Sequence, residues 1–228
     1  MLQKNPQSPS RRTLLMGVAT VGLGAATAQA QAQRATPPAP RPFTIVAFGD
    51  SLTAGLGVKR SEAFPARLEA RLKAAGYDVR IANAGLSGDT SAGALARFDF
   101  AVPRGTDGLL LAIGANDMLQ GRSPEDARKN IDTMIARAKA RGIKIALLGM
   151  RAPSNWGPDY RARFDAIYPG LARKHGVALD PFVLEGVALN PTLNQADGIH
   201  PNAVGADRIA ARLAPFVAKS FGLKPKRP

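Results

Sequence analysis

The chain has 228 residues, with 31 Lys and Arg against 17 Asp and Glu for a formal net charge of +14, two His and no Cys. The length suits one domain large enough to bury a core, with residues left over. Lack of Cys excludes disulfides, thiolate metal sites and cysteine nucleophiles, and two His are too few for the usual histidine metal cages. Chemistry therefore falls to oxygen nucleophiles and carboxylates, and no metal or organic cofactor is expected.

The first thirty residues read as an export signal: a basic stretch ending in Ser10-Arg11-Arg12, an apolar run Thr13 to Ala26, and small-residue cleavage sites that end at Ala28, Ala30 or Ala32. The paired arginines resemble a twin-arginine signal, which implies a periplasmic or secreted product. The run is rich in Ala and Gly and short of the ~20 strongly apolar residues a membrane span needs. Its removal deletes Lys4, Arg11 and Arg12 and no acid, so the charge falls from +14 to +11. The remaining cations are scattered over predicted helix faces (Arg67, Arg71, Lys73; Arg128, Lys129, Arg137, Lys139, Arg141) without interleaved aromatics. That pattern predicts a solvated basic surface, at most a weak contact with anionic membrane, and no nucleic-acid partner. A Pro-rich linker spans 31–42, with Pro37, Pro38, Pro40 and Pro42.

From Phe43 the pattern alternates. Apolar runs at Phe43 to Phe48, Tyr77 to Ala82, Gly108 to Ile113 and Ile143 to Gly149, with a short fifth at Val177 to Leu179, predict strands covered on both faces. Helical patterns lie between and after them: Ser61 to Ala75, Ser123 to Arg141 with Ser123 as cap and Pro124 in the first turn, Pro158 to Lys174, and Asn202 to Ser220. This alternation predicts an α/β domain over 43–220, a parallel sheet with helices on both faces, followed by a basic tail at 221–228.

In such a sheet the loops after the strands' carboxyl ends share one edge, where ligands bind. Here they are Gly49-Asp50-Ser51-Leu52, Asn83 to Asp89, Gly114-Ala115-Asn116-Asp117 and Arg151 to Gly157, joined by Asp197-Gly198-Ile199-His200-Pro201 before the last helix. His175 ends a helix and needs no further explanation. His200 lies in a Gly- and Pro-bounded turn three residues after Asp197, close enough for the carboxylate to hold its tautomer; a plain surface turn is the alternative. Ser51 follows a buried strand at a predicted helix start, where a nucleophile would gain from the helix N-terminus, and otherwise it is a cap. Ser87 and Ser154 are rival hydroxyls on the same edge. Backbone N–H groups of Ser51 and Gly88 and the amide of Asn116 are candidate oxyanion donors, although Gly88 could be a tight turn and Asn116 a cap.

Four blocks in order then resemble the SGNH, or GDSL, hydrolases: Phe48-Gly49-Asp50-Ser51-Leu52, Asn83 to Asp89 with Gly88, Gly114-Ala115-Asn116-Asp117, and Asp197-Gly198-Ile199-His200-Pro201. More narrowly, Ser87-Gly88-Asp89-Thr90, Gly149 to Pro153 and Asn194 to Pro201 look like the periplasmic arylesterase, acyl-CoA thioesterase I and lysophospholipase L1 group. The resemblance covers about Phe43 to Phe216. It implies a three-layer α/β/α sandwich with a flavodoxin-like five-stranded sheet. It also implies Ser51 as nucleophile, Asp197 and His200 as its relay, and Ser51, Gly88 and Asn116 as oxyanion donors. The implied substrates are small acyl esters, thioesters or lysophospholipids, handled by a monomer. Met118, Leu119, Pro153 and Trp156 are expected to wall the acyl site. Two departures, Ala112 where relatives carry Glu and Met118 where many carry Gly, are expected to alter that wall.

Overall fold

A computed structural model describes residues 41–226; the expected export signal, residues 31–40 of the expected linker and the last two residues of the expected tail lie outside the described residues. Five strands, β1 (Phe43–Gly49), β2 (Val79–Gly85), β3 (Gly108–Ala112), β4 (Lys144–Leu148) and β5 (Ala178–Asp180), form one sheet in the order β2-β1-β3-β4-β5. Every pairing is parallel. The helices are α1 (Ser51–Ala54), α2 (Phe64–Ala74), α3 (Ser91–Ala101), α4 (Ala115–Leu119), α5 (Pro124–Ala140), α6 (Gly157–Asp165), α7 (Ile167–His175) and α8 (Ala203–Phe221), with a 3-10 turn at Ser154–Trp156.

Right-handed crossovers distribute these helices. The step from β1 to β2 runs one way along the sheet and the later steps run the other way, so α2 lies on one face and α3, α5, α6 and α7 on the opposite one. The last helix, α8, returns to pack beside α2. This is the three-layer α/β/α sandwich. The strands β1, β3 and β4 are buried on both sides (Ile45, Phe48, Leu109, Leu111, Leu147, Leu148), which is why they read as unbroken apolar runs.

Several boundaries differ from expectation for visible reasons. The second strand runs past Ala82 to Gly85 because it pairs residue for residue with all of β1, Asn83 opposite Ala47 and Gly85 opposite Gly49. It is an edge strand, so its outward positions tolerate the polar and small residues that suggested a loop. The predicted helix Pro158 to Lys174 is two helices meeting at Ala166. Pro169 has no N–H to offer the carbonyl of Asp165, four residues earlier, and the hydrogen-bond ladder breaks there. Two helices, α3 and α4, carry no sequence prediction: α3 buries only Ser91, Ala94 and Phe98, and α4 is barely more than one turn. At the C-terminus Phe221 is 1% exposed and stacks on Phe43, Pro225 bridges to Tyr77, and Lys226 pairs with Asp78 at 3.0 Å. Residues 221–226, expected as a tail, therefore belong to the packed domain. At the other end Arg41, at the end of the expected linker, makes a two-pronged bond to Asp107 at 2.6 and 2.7 Å.

Candidate active site

The Ser51 loop leaves β1 at Gly49 in the middle of the sheet. Asp50 then caps α1, its Oδ1 accepting from the N–H of Leu52 at 3.1 Å, and Ser51 is the first residue of that helix. Because α1 is a single turn, its aligned dipole is small, and the expected help from a helix N-terminus reduces to the individual N–H groups. The last loop brings His200 to Ser51 across 149 residues of sequence. The Oγ of Ser51 lies 2.8 Å from Nε2 of His200, and Nδ1 of His200 lies 2.6 Å from Oδ2 of Asp197.

The Asp197 turn is built around its carboxylate. Oδ1 accepts from the backbone N–H groups of Ile199 and His200, both at 2.9 Å, while Oδ2 takes the imidazole. These bonds, the backbone N–H of His200 foremost and then its ring, hold the Asp197 carboxyl down at about 2. It is thus anionic in all ordinary buffers, although its side chain is 43% exposed.

Three donors stand beside Ser51. Its own N–H and that of Gly88 donate to no other backbone group among the described residues. Gly88 has φ of +79° with nothing within 4 Å of where a Cβ would stand, so the missing side chain both permits the turn and leaves room for a ligand. Asn116 spends one amide hydrogen on the carbonyl of Asp89 at 2.9 Å, which fixes the carboxamide and leaves its second hydrogen for the groove. Asn116 is placed by the turn at Gly114, whose φ of +121° and the Tyr168 hydroxyl 2.5 Å from a built Cβ exclude any side chain.

Ser51, Gly88, Asn116 and His200 line a groove of about 550 Å³, with Met118, Leu119 and Pro153 from the expected wall. Trp156 is not among the lining residues. It stacks on Tyr160 with ring centroids 4.9 Å apart and lies against Gly121, where Gly121 leaves space for the indole. Of the two departures, Met118 lines the groove, whereas Ala112 ends β3 in the core at 1% exposure and leaves the wall untouched. The rival serines 87 and 154 do not line it, and His175 pairs instead with Asp132 at 2.5 Å. Sequence reasoning missed Leu56, Phe182, Leu184, Ala188, Leu189 and Ile199, which complete the apolar lining. Most of them follow β5, whose carboxyl end opens on the same edge as the other loops, so topology was the signal available. Leu189 is 92% exposed at φ +62°, the one non-Gly residue with positive φ among those described. Among the described residues, no three His, Asp or Glu side chains are grouped to hold a metal ion.

A family model described as the GDSL-like lipase/acylhydrolase family matches residues 47–208, from the end of β1 into α8. The chain belongs to that family. It is accordingly a hydrolase acting on ester bonds. It is 40% identical over 173 residues to the esterase TesA of Pseudomonas aeruginosa, spanning 75% of this chain and 86% of that one. To the thioesterase 1/protease 1/lysophospholipase L1 of Escherichia coli it is 37% identical over 182 residues, 76% of this chain and 85% of the other. Among solved structures, the psychrotrophic esterase EstA from Pseudoalteromonas, inhibited by monoethylphosphonate, superposes with a TM-score of 0.75 at 28% identity, over 79% of this chain and 99% of EstA.

One buried group lies directly under the site. Asp50 is fully buried, its Oδ2 has no partner, and loss of solvation raises its carboxyl to about 7. Below about pH 4 both folded and unfolded chains hold this proton. Between 4 and 7 the unfolded chain releases it first, so the folded state binds more protons and stability falls as pH rises, levelling off above 7. Asp50→Asn keeps an acceptor for Leu52 and removes this slope. Chemical denaturation should find the variant's advantage over wild type roughly 2 kcal/mol larger at pH 8 than at pH 5. Parallel stability curves at the two pH values would show that Asp50 does not titrate in the folded state.

Proposed function

We propose that the protein is an exported serine hydrolase that cleaves acyl esters and thioesters through an acyl-enzyme. The observation that carries this reading is the Ser51–His200–Asp197 line, 2.8 and 2.6 Å long, at the floor of an apolar groove. Ser51 Oγ attacks the carbonyl carbon as Nε2 of His200 takes its proton, and Asp197 steadies the imidazolium. The tetrahedral oxygen is held by the N–H groups of Ser51 and Gly88 and the free amide hydrogen of Asn116. His200 then returns the proton to the leaving alcohol or thiol, and water activated by the same imidazole releases the acid.

The groove lining favours an acyl chain over a glycan, since Met118, Leu119, Pro153, Phe182 and Leu184 offer apolar contact and few hydrogen-bonding partners. Relatives named esterase, thioesterase, lysophospholipase and arylesterase support small esters, thioesters and lysophospholipids as the substrate range. A p-nitrophenyl ethylphosphonate should release one nitrophenolate per chain and leave its phosphonyl group on Ser51, located by mass spectrometry of the digest. Label on another residue, or none with esters still hydrolysed, overturns Ser51 as the nucleophile. Action as a monomer is part of this reading, supported by a groove whose lining comes from one chain. Export through a twin-arginine signal in residues 1–30 is the remaining part of this reading, supported by Ser10-Arg11-Arg12 and the small-residue sites; a periplasmic product that still begins at Met1 would refute it.

A further inference from the structure

The three oxyanion donors come from three different loops, and a hydrolase gains little from such donors unless their spacing is fixed to a fraction of an ångström. One side chain outside the groove touches the supports of all three. Arg97, on α3, spreads its guanidinium between them: Nε donates to Asp89 Oδ2 at 2.6 Å, Nη1 to the carbonyl of Ala84 at 2.9 Å, and Nη2 to the carbonyl of Gly49 at 2.9 Å. Its plane lies over the Phe48 ring with the central carbon 4.3 Å from the centroid, and Phe48 in turn meets Phe98 of α3 edge-on.

Two of these contacts lead to the donors. Gly49 stands two residues before Ser51, and its carbonyl also accepts from the N–H of Leu86 at 3.0 Å, tying the Ser51 loop to the loop that carries Gly88. Asp89 follows Gly88 directly, and its carbonyl is the group that fixes the Asn116 amide at 2.9 Å. The start of α3 is anchored to the Asn116 helix as well, since Ser91 donates from both N and Oγ to Asp117 at 2.7 Å. The carboxylate of Asp89 is 5% exposed and Arg97 21% exposed, so this ion pair is little screened by water. A guanidinium presents fixed, planar donors; an ammonium at the same place cannot reach three acceptors in one plane.

We propose that Arg97 is a positioning residue that holds the backbone N–H groups of Ser51 and Gly88 and the amide of Asn116 in register as an oxyanion site. This rests on the functional reading above. Arg97 touches no reacting atom, so its loss should act on the transition state and spare both substrate binding and the His200 relay.

The test compares wild type, Arg97→Lys, Arg97→Ala and Ser51→Ala on p-nitrophenyl butyrate, with rates normalised to sites titrated by the phosphonate. Expected for both Arg97 variants is a kcat on the order of 10- to 100-fold lower with KM within threefold. The acidic limb of the kcat/KM profile should stay in place, and affinity for a butylboronic acid, whose adduct carries a tetrahedral anion, should weaken by the same factor as kcat. Methylguanidinium should restore part of the Arg97→Ala loss and none of the Ser51→Ala loss. A kcat per titrated site within threefold of wild type overturns the proposal, as does a KM rising in step with the loss or boronate affinity left unchanged. Should Arg97→Ala fail to fold, Arg97→Lys decides on the same criteria. Wild type without Ser51-dependent turnover refutes the functional reading itself, and the Ser51→Ala arm separates that outcome from failure of Arg97 alone.

Discussion

Ser51→Ala and His200→Ala are each expected to lower kcat for p-nitrophenyl butyrate by about 10⁵- to 10⁶-fold, and the double variant to fall no further. The alcohol of serine is a poor nucleophile at neutral pH and becomes useful only as its proton leaves, so the hydroxyl and the imidazole 2.8 Å away act as one unit. Removing either member removes the whole attack. What survives is the binding and the oxyanion donors, enough to keep a residual rate some 10³- to 10⁴-fold above water. KM should change little in the serine variant, because Ser51 forms only a small part of the groove. Losses that multiply in the double variant, or a single variant retaining more than about a hundredth of the wild-type rate, would mean that Ser51 and His200 do not share a step.

How much of this was open to a reader of letters differs between the site and its surroundings. The chemical groups were legible because each sits where a strand ends: Ser51 after β1, Gly88 after β2, Asn116 after β3, and His200 with Asp197 before α8. Glycine and proline punctuate those loops, and only two histidines compete. The sheet and its five strands were legible for a related reason, since burial on both faces forces unbroken apolar runs. What was hidden is what packs sideways. Helix α3 shows three inward residues among Ala and Gly, too few for a periodic signal, and so Arg97 carried no prediction. Trp156 is large and near the right loop, yet an aromatic neighbour one turn along, Tyr160, claims its face. The Leu184 to Leu189 wall depends on a strand of only three residues, which sets the loop on the catalytic edge without leaving much trace in composition.

The groove gives these parts different sensitivities. Part of its apolar wall is open to water; Leu119 and Ile199 are both nearly half exposed, and Leu189 extends into solvent in a backbone conformation that costs a non-Gly residue roughly 1–2 kcal/mol. Ser51 instead follows the central strand β1, where Ile45 and Phe48 are closed to water, beside Leu110 and Leu111 of β3. Changes of chain-length preference can therefore accumulate in the wall while Ser51 stays anchored to the core.

Asp197→Asn should cost about 10³- to 10⁴-fold in kcat while leaving the turn intact. The carboxylate does two separable things. Its Oδ1 closes the turn by accepting from the N–H groups of Ile199 and His200, and an Asn carbonyl oxygen can do the same. Its Oδ2 accepts from Nδ1 of His200 at 2.6 Å, which leaves Nε2 unprotonated and facing Ser51. With Asn in place an NH₂ group meets Nδ1, favours the opposite tautomer, and turns Nε2 into a donor unable to take the serine proton. A denaturation midpoint near that of wild type separates this from loss of fold. Since the Asp197 carboxyl sits at about 2, it stays charged throughout the working range. A rate within tenfold of wild type would show that the ring takes its orientation from something other than Asp197.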